Sequence, residues 1–233
     1  MARGPVVRLE TSVGRRRRSN YRKDGYHHGN LDAAFVDIGT ALIDREGVEA
    51  VTLKRVSEMS GVTSAAARHH FGDKEGLLGA IAAASFQDLL QVMIVASKAG
   101  SDPEDNLRRV FQAFVSFAVR HPLRFRFMFE ARYLDEVQHP LSAGLALACF
   151  DVLRLVVDAQ LGRHVAAAPL FAWSIGHGLG SILGTSKIPP SDRPGETTQQ
   201  VVDQVVGLAL ASLRDLSRPE HRAATPNLDR TGA

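Results

Sequence analysis

Apolar residues recur at intervals of three and four along most of this 233-residue chain, which is the spacing of one face of an α-helix. No segment of useful length alternates apolar and polar residues, as a half-buried β-strand would. The pattern therefore predicts an all-α protein. Helices are expected at about 30–46, 74–97, 103–121, 122–129, 140–161, 166–183 and 197–216.

Two shorter helices are predicted between Thr52 and Phe71, on either side of Gly61. Thr52 and Thr63 are of the residue type that caps helix N-termini, and Gly61 can adopt the positive φ that a tight turn needs. This arrangement indicates a helix-turn-helix, which places its second helix in the major groove of DNA. The alternative is a pair of ordinary core helices joined by a glycine turn. The apolar stripe of the first short helix is Leu53, Val56 and Met59.

With the helix at 30–46, the two short helices make a small tri-helical unit. The unit contains the runs Tyr26-His-His-Gly-Asn-Leu31, Val51-Thr52-Leu53, Gly61-Val62-Thr63 and His70-Phe71-Gly-Asp73-Lys74-Glu75-Gly-Leu77-Leu78. This pattern resembles the N-terminal domain of the tetracycline-repressor (TetR) family of bacterial regulators. The family usually has Leu-Tyr where this chain has Ala67 and Arg68, so Arg68 replaces a tyrosine that commonly touches the DNA backbone.

The tri-helical unit offers several groups that bind DNA. Hydroxyls and helix N-termini bind phosphates, and alanines keep a helix slim enough for a groove. An arginine on the second short helix can reach a phosphate, or O6 and N7 of a guanine. The predicted DNA contacts in this unit are Thr52, Lys54, Thr63, Ser64, Ala65, Arg68, His69, His70 and Lys74.

Positive charge is concentrated before the first helix. Residues 1–29 contain eight basic and two acidic residues, a net charge of +6, whereas the whole chain carries +3, so the remainder carries −3. A polar segment rich in arginine and glycine is disordered alone. We expect it to lie on DNA beside the helix-turn-helix through Arg15, Arg16, Arg17 and Arg18, the alternative being a solvated leader without function.

The chain divides into a disordered basic arm at 1–25, a helix-turn-helix domain at 26–75, a helical regulatory and dimerisation domain at 76–216, and a disordered tail at 217–233. No run approaches the ~18–20 continuous apolar residues of a membrane span, so no membrane partner is expected. Cys149, the single cysteine, excludes an internal disulfide and fits a reducing, cytoplasmic environment.

The helical domain has aromatic residues at positions that could line a ligand cavity. The run Ala172-Trp173-Ser-Ile-Gly176-His177-Gly178 resembles the Trp-x-x-x-His-Gly signature of one C-terminal subgroup of the family. An indole face and an imidazole one turn apart would suit a small-molecule pocket, although packed core residues would give the same pattern. The predicted lining is Phe111, Phe114, Met128, Phe129, Tyr133, Trp173 and His177.

Three glycines, Gly176, Gly180 and Gly184, share one face of a predicted helix. Each costs about 1 kcal/mol relative to alanine, so a close helix contact is expected to compensate, either in the same chain or in a second copy. The family resemblance implies that the last two helices form a four-helix dimer interface. We therefore predict that these glycines, with Val202 and Val206, lie in a homodimer interface; plain core packing is the alternative.

These features predict a dimeric transcriptional regulator, most simply a repressor released from a palindromic double-stranded DNA operator by a small apolar or amphipathic effector. The alternative is a helix-turn-helix protein that binds DNA constitutively, or is gated by a protein, and whose bundle only dimerises. A cavity inside the bundle would favour the first hypothesis. No Walker loop, nucleophile elbow or His-Glu-x-x-His motif is present, so we expect neither an enzyme nor a cofactor or metal site.

Overall fold

The computed structural model describes residues 28–185 and 197–216, and this part of the chain contains nine α-helices, two short 3-10 helices and no strand. The all-α prediction is thus confirmed. The predicted arm at 1–25, most of the loop at 184–195 and the tail at 217–233 lie outside the described residues. The helices are α1 (His28–Glu46), α2 (Leu53–Ser60), α3 (Ser64–Phe71), α4 (Lys74–Ala96), α5 (Pro103–Arg120), α6 (Pro122–Met128), α7 (Pro140–Leu161), α8 (Ala167–Thr185) and α9 (Thr198–Leu216).

The helix boundaries follow from side-chain caps that the sequence predicts. Thr52, Thr63, Asp73 and Asp102 each accept a hydrogen bond from the backbone N–H three residues later, at 2.9–3.3 Å. These bonds satisfy donors that the first helical turn leaves without a partner. The 3-10 helices at Val48–Ala50 and Ala131–Leu134 were not predicted from the sequence, because they are too short to show a period.

The tri-helical unit is built around α1, which packs on α2, α4 and α6. Phe35 of α1 is fully buried and meets Phe71 of α3 edge to face, with ring centroids 5.8 Å apart. The predicted stripe on α2 is wrong at Met59, which is 49% exposed. Ser57 is buried instead.

The long helix α4 connects the tri-helical unit to the bundle, and one continuous core extends from Leu31 in α1 to Leu213 in α9. In the bundle, α4 packs on α5 and α7, and α5 packs on α8 and α9. Within the described ranges, α4 and α7 are long and apolar enough to cross a membrane by length and composition, but half of the apolar stretch of α4 is buried in the bundle.

The residues predicted for the dimer interface pack inside the subunit instead. A Cβ on Gly180 would collide with Ala118 of α5, and one on Gly184 would press on Pro122 at 3.0 Å. Gly176 faces Phe111 and Phe114. Val202 and Val206 are 4% and 0% exposed in the core of the same chain. The three glycines thus allow α8 to approach α5 and α6, and we correct the assignment of all five residues.

Candidate nucleic-acid interface and its connection to the bundle

The turn between α2 and α3 has the conformation that a helix-turn-helix requires. Gly61 ends α2 in the left-handed region at φ 72°, where a side chain would be strained. Val62 donates its N–H to the Ser57 carbonyl at 3.0 Å, which closes the turn. The next helix then begins at Ser64, directly after the Thr63 cap.

Helix α3 has one buried and one exposed face. Ala67 is fully buried and Phe71 half-buried, whereas the other side exposes Ser64, Ala65, Arg68 and His69. The exposed face therefore carries a hydroxyl, a methyl, a guanidinium and an imidazole, and α3 contains no acidic residue. These are the groups that meet phosphates and base edges in a major groove.

Arg68 has the longest side chain on this exposed face. It is exposed, and within the described residues it forms no ion pair. Its guanidinium therefore keeps its full donor capacity, five N–H groups in a planar fork.

Four other predicted contacts lie at helix N-termini or beside them. The hydroxyls of Thr52 and Thr63 accept backbone N–H groups and retain a proton to donate to phosphate. Lys54 and Lys74 form only long ion pairs, since their Nζ atoms are 3.9 Å from Glu58 and 3.8 Å from Glu49. Ion pairs between exposed groups are weak, so a phosphate can replace the carboxylate in them. All four stay predicted DNA contacts.

His70 requires a correction. Its Nδ1 lies 2.6 Å from the Asp32 carboxylate of α1, and its side chain is only 16% exposed. The helical period explains this position, because His70 is three residues after the buried Ala67 and so lies on the same face. We therefore remove His70 from the direct DNA contacts and assign it to the packing of α3 on α1.

An ion pair that the sequence did not reveal holds α2 against the end of α1. Arg55 donates from both terminal nitrogens to the two carboxylate oxygens of Glu46, each at 2.8 Å. The hydrogen bonds from Arg55, and then from Arg45, lower the pKa of Glu46 below its usual range. Arg55 and Glu46 are nine residues apart and lie on different helices, so the helical spacing of the sequence does not predict this pair.

A second ion cluster joins the tri-helical unit to the bundle. Arg124 of α6 is 5% exposed and lies between Asp44 of α1, at 3.2 Å, and Asp88 of α4, at 2.9 Å. His121 Nδ1 contacts the other oxygen of Asp44 at 3.1 Å, and the Arg124 guanidinium lies 5.2 Å from the centre of the Phe117 ring. Helix α6 is therefore connected to both helices that position the DNA-binding unit.

Five of the predicted pocket residues come together between α5, α6 and α8. Phe114 contacts Trp173 and Phe129, with ring centroids 5.0 and 6.5 Å apart, and Phe129 meets His177 at 4.7 Å. Phe111 lies against Gly176 in the same region. The aromatic cluster also contains three residues that were not predicted from the sequence, Phe86, Phe125 and Phe150.

Tyr133 lies outside the aromatic cluster. It packs on Phe127 and His139, with centroids 4.7 and 5.5 Å away. Phe127 follows Phe125 by two residues, so it points to the opposite side of α6, and Tyr133 joins it there. We therefore withdraw Tyr133 from the predicted pocket. Met128 is fully buried and stays a predicted pocket residue.

The aromatic cluster is closed in this structure. The cavity at Phe111, Phe114, Trp173 and Gly176 has a volume of about 10 Å³, which is at the lower limit for a single water molecule. Burial lowers the pKa of His177, which favours its neutral imidazole. Its buried Nδ1 has no hydrogen-bond partner within the described residues. Among those residues no group of three or more His, Cys, Asp or Glu could hold a metal ion.

Comparison with known proteins agrees with this two-part architecture. The family model described as "Bacterial regulatory proteins, tetR family" matches residues 35–81. The model described as "Tetracyclin repressor-like, C-terminal domain" matches residues 107–205. The two matches fall on the helix-turn-helix unit and on the bundle.

Similar sequences include the HTH-type transcriptional regulators BetI of Paraburkholderia xenovorans (strain LB400) and Rhizobium meliloti (strain 1021). Each is 33% identical, over 82 and 84 residues respectively. The aligned regions cover 35% and 36% of this chain, and 42% and 40% of those relatives. The chain thus spans about two fifths of the curated relatives' length.

Solved structures show a similar fold over most of the chain. A protein of unknown function from Rhodococcus sp. RHA1 has a TM-score of 0.68 at 24% identity, covering 83% of this chain and 98% of that one. A regulatory protein in the tetR family from the same source has a TM-score of 0.61 at 18% identity, covering 78% and 96%. With both domain types matched and the helix-turn-helix geometry in place, the chain belongs to the TetR family of bacterial regulators.

Proposed function

We propose that this protein is a dimeric DNA-binding transcriptional regulator that represses from a pseudo-palindromic operator. The observation that carries the proposal is the exposed face of α3, on which Arg68 lies without an ion-pair partner within the described part of the chain. An open helix-turn-helix face with a free guanidinium and no acidic residue suits the major groove.

A homodimer would use the outer faces of α8 and α9. Leu170 and Phe171 of α8 are 61% and 40% exposed, and Leu208 of α9 is 70% exposed. Gly178 and Gly207 have open space where a Cβ would be, so another helix could approach there. These residues replace the inward-facing glycines and valines as the proposed interface. Two-fold symmetry would then place two α3 helices on successive major-groove faces.

A small-molecule effector acting on the bundle is the second part of the proposal. The aromatic cluster supplies the apolar surface and the neutral imidazole that such a site uses, although its cavity is closed in this structure. The closed cavity favours the alternative function, a constitutive DNA-binding protein whose bundle only dimerises. The two functions differ in whether any small molecule changes operator affinity.

Selection of bound duplexes from a random DNA pool tests the DNA-binding proposal and does not require a known operator sequence. We expect enrichment of a sequence with two inverted half-sites, because each subunit presents one α3. Protein carrying Arg68→Ala and His69→Ala provides the matched control and should enrich no such sequence. A pool that stays random with the unmodified protein would contradict the proposed function.

A further inference from the structure

A cleft that shares Phe125 with the aromatic cluster opens between α6 and the C-terminal half of α8. Its volume is about 250 Å³, slightly below the usual ~300–1,000 Å³ of small-molecule sites, so it fits a small ligand. Its lining includes Pro122, Phe125, Arg126, Gly180, Ser181 and Gly184.

The apolar part of the cleft comes from close helix packing. A Cβ on Gly184 would meet Pro122 at 3.0 Å, and one on Gly180 would lie 3.8 Å from the Phe125 ring. The two glycines therefore bring the backbone of α8 up to the proline and phenylalanine of α6. The result is a narrow space with an aromatic ring and a pyrrolidine ring on one side and a side-chain-free helix surface on the other.

The polar part of the cleft is positively charged. Arg126 is exposed and has no ion-pair partner within the described residues, and Ser181 adds a half-buried hydroxyl. No carboxylate from the described residues lines the cleft. Arg124, two residues earlier, faces the other side of α6 and is neutralised by Asp44 and Asp88. Arg126 is thus the uncompensated charge of the helix, and it lies beside an apolar space.

We propose that this cleft binds a small amphipathic carboxylate, with the carboxylate on the Arg126 guanidinium and the hydrocarbon part against Phe125 and Pro122. A planar guanidinium pairs with a carboxylate through two parallel hydrogen bonds, and the walls bury the apolar part. The cleft, and not the closed aromatic cluster, is then the effector site. This regulatory role rests on the proposed function.

The position of the cleft gives binding a route to the DNA-binding unit. Helix α6 has only seven residues, and Arg124 on its opposite side contacts α1 and α4. A ligand that displaces α6 would change the geometry of these ion pairs. Its effect on operator affinity is limited by its difference in affinity between the two arrangements.

Titration of the full-length protein with octanoate, followed by calorimetry in the absence of DNA, tests the site. Octanamide, which has the same shape without the charge, is the ligand control. We expect saturable binding of octanoate, and binding at least about tenfold weaker for octanamide and for Arg126→Gln. Arg120→Gln removes an equivalent charge from an exposed arginine outside the cleft and should bind octanoate like the unmodified protein.

Equal binding of octanoate by Arg126→Gln and by the unmodified protein would overturn the site, as would the absence of saturable binding. Ser181→Phe, which fills the cleft, provides a second test and should also abolish binding. Operator affinity is then measured with and without octanoate. Binding that leaves operator affinity unchanged would overturn the regulatory role but not the site. Failure to bind any operator would overturn the proposed function while the calorimetric result stands.

Discussion

His177 is the titratable residue that packs within the aromatic cluster, on the rings of Phe125 and Phe129. Burial lowers its pKa below the usual 6.5, so the folded protein disfavours the imidazolium. The unfolded chain takes up the proton at higher pH than the folded chain. The free energy of unfolding contributed by His177 is therefore lost as pH falls from the usual value through the lowered pKa.

Replacing this imidazole should make the bundle less sensitive to acid. We expect the free energy of unfolding of His177→Leu to fall less than that of the unmodified protein between pH 7 and pH 5. Urea denaturation at several pH values measures this, with His69→Leu, an exposed position, as the control. Parallel pH profiles for His177→Leu and the unmodified protein would show that His177 is not disfavoured as a cation.

At the level of single residues, the sequence predicted what depends on local geometry. The caps Thr52, Thr63 and Asp73 and the turn at Gly61 follow from the chemistry of a few neighbouring positions. The partner of His70 did not follow, because Asp32 lies on a different helix. Long-range pairs depend on tertiary packing, which no single segment encodes.

At the level of elements, α6 is the short helix that lies between the cleft and the tri-helical unit. One of its sides carries Arg124 into a buried ion cluster, and the other lines the cleft with Phe125 and Arg126. The sequence predicted this helix, because proline is favoured at the first position of a helix and Pro122 occupies that position. Phe125 and Phe127 point to opposite sides of α6, and Tyr133 packs on Phe127, outside the pocket. This arrangement depends on the helices that surround α6, which the local sequence does not specify.

Removing the Arg124 guanidinium should loosen the attachment of the tri-helical unit. We expect Arg124→Met to lower the free energy of unfolding by about 2 kcal/mol, less than the ~3–5 kcal/mol of a fully buried pair, because Asp88 is 61% exposed. Arg109→Met, which breaks an exposed pair with Asp105, should cost less than about 1 kcal/mol. If chemical denaturation shows that Arg124→Met and Arg109→Met lose the same free energy of unfolding, the cluster contributes no more than a surface pair.

At the level of the whole molecule, the helical periods and the charge distribution predicted two parts and an arm. The direction of the glycine face on α8 was not predictable, because a close contact within a subunit and one between subunits require the same small residues. The structure resolves this ambiguity in favour of the subunit's own α5 and α6.

The dimer proposal predicts that a charge on the outer face of α9 separates the subunits. Leu208→Arg should sediment as a folded monomer at micromolar concentration, because Leu208 is 70% exposed in the single subunit. Leu155→Arg, on the 59% exposed side of α7, is the matched control and should remain dimeric. A dimeric Leu208→Arg protein, or a monomeric unmodified protein, would contradict this interface.

The basic arm predicts a specific salt effect, although it lies outside the described residues. Deleting residues 1–24 should weaken DNA binding and flatten its salt dependence. The slope of log K against log salt should shrink by about 0.9 for each phosphate that the shortened protein no longer binds. Fluorescence anisotropy at several salt concentrations measures the slope. An unchanged slope would mean that the arm does not touch the DNA.

The affinity of Arg68→Ala for the selected operator and its single-base variants tests DNA binding by α3 most directly, measured at low and high salt beside Arg109→Ala as the control. If Arg68 reads a base, the loss is about 1–3 kcal/mol with relaxed preference at one position per half-site. If Arg68 holds a phosphate, affinity falls evenly across the variants and the salt slope shrinks. If Arg68→Ala has the same operator affinity, base preference and salt slope as the unmodified protein, the claim that this face of α3 binds DNA is contradicted.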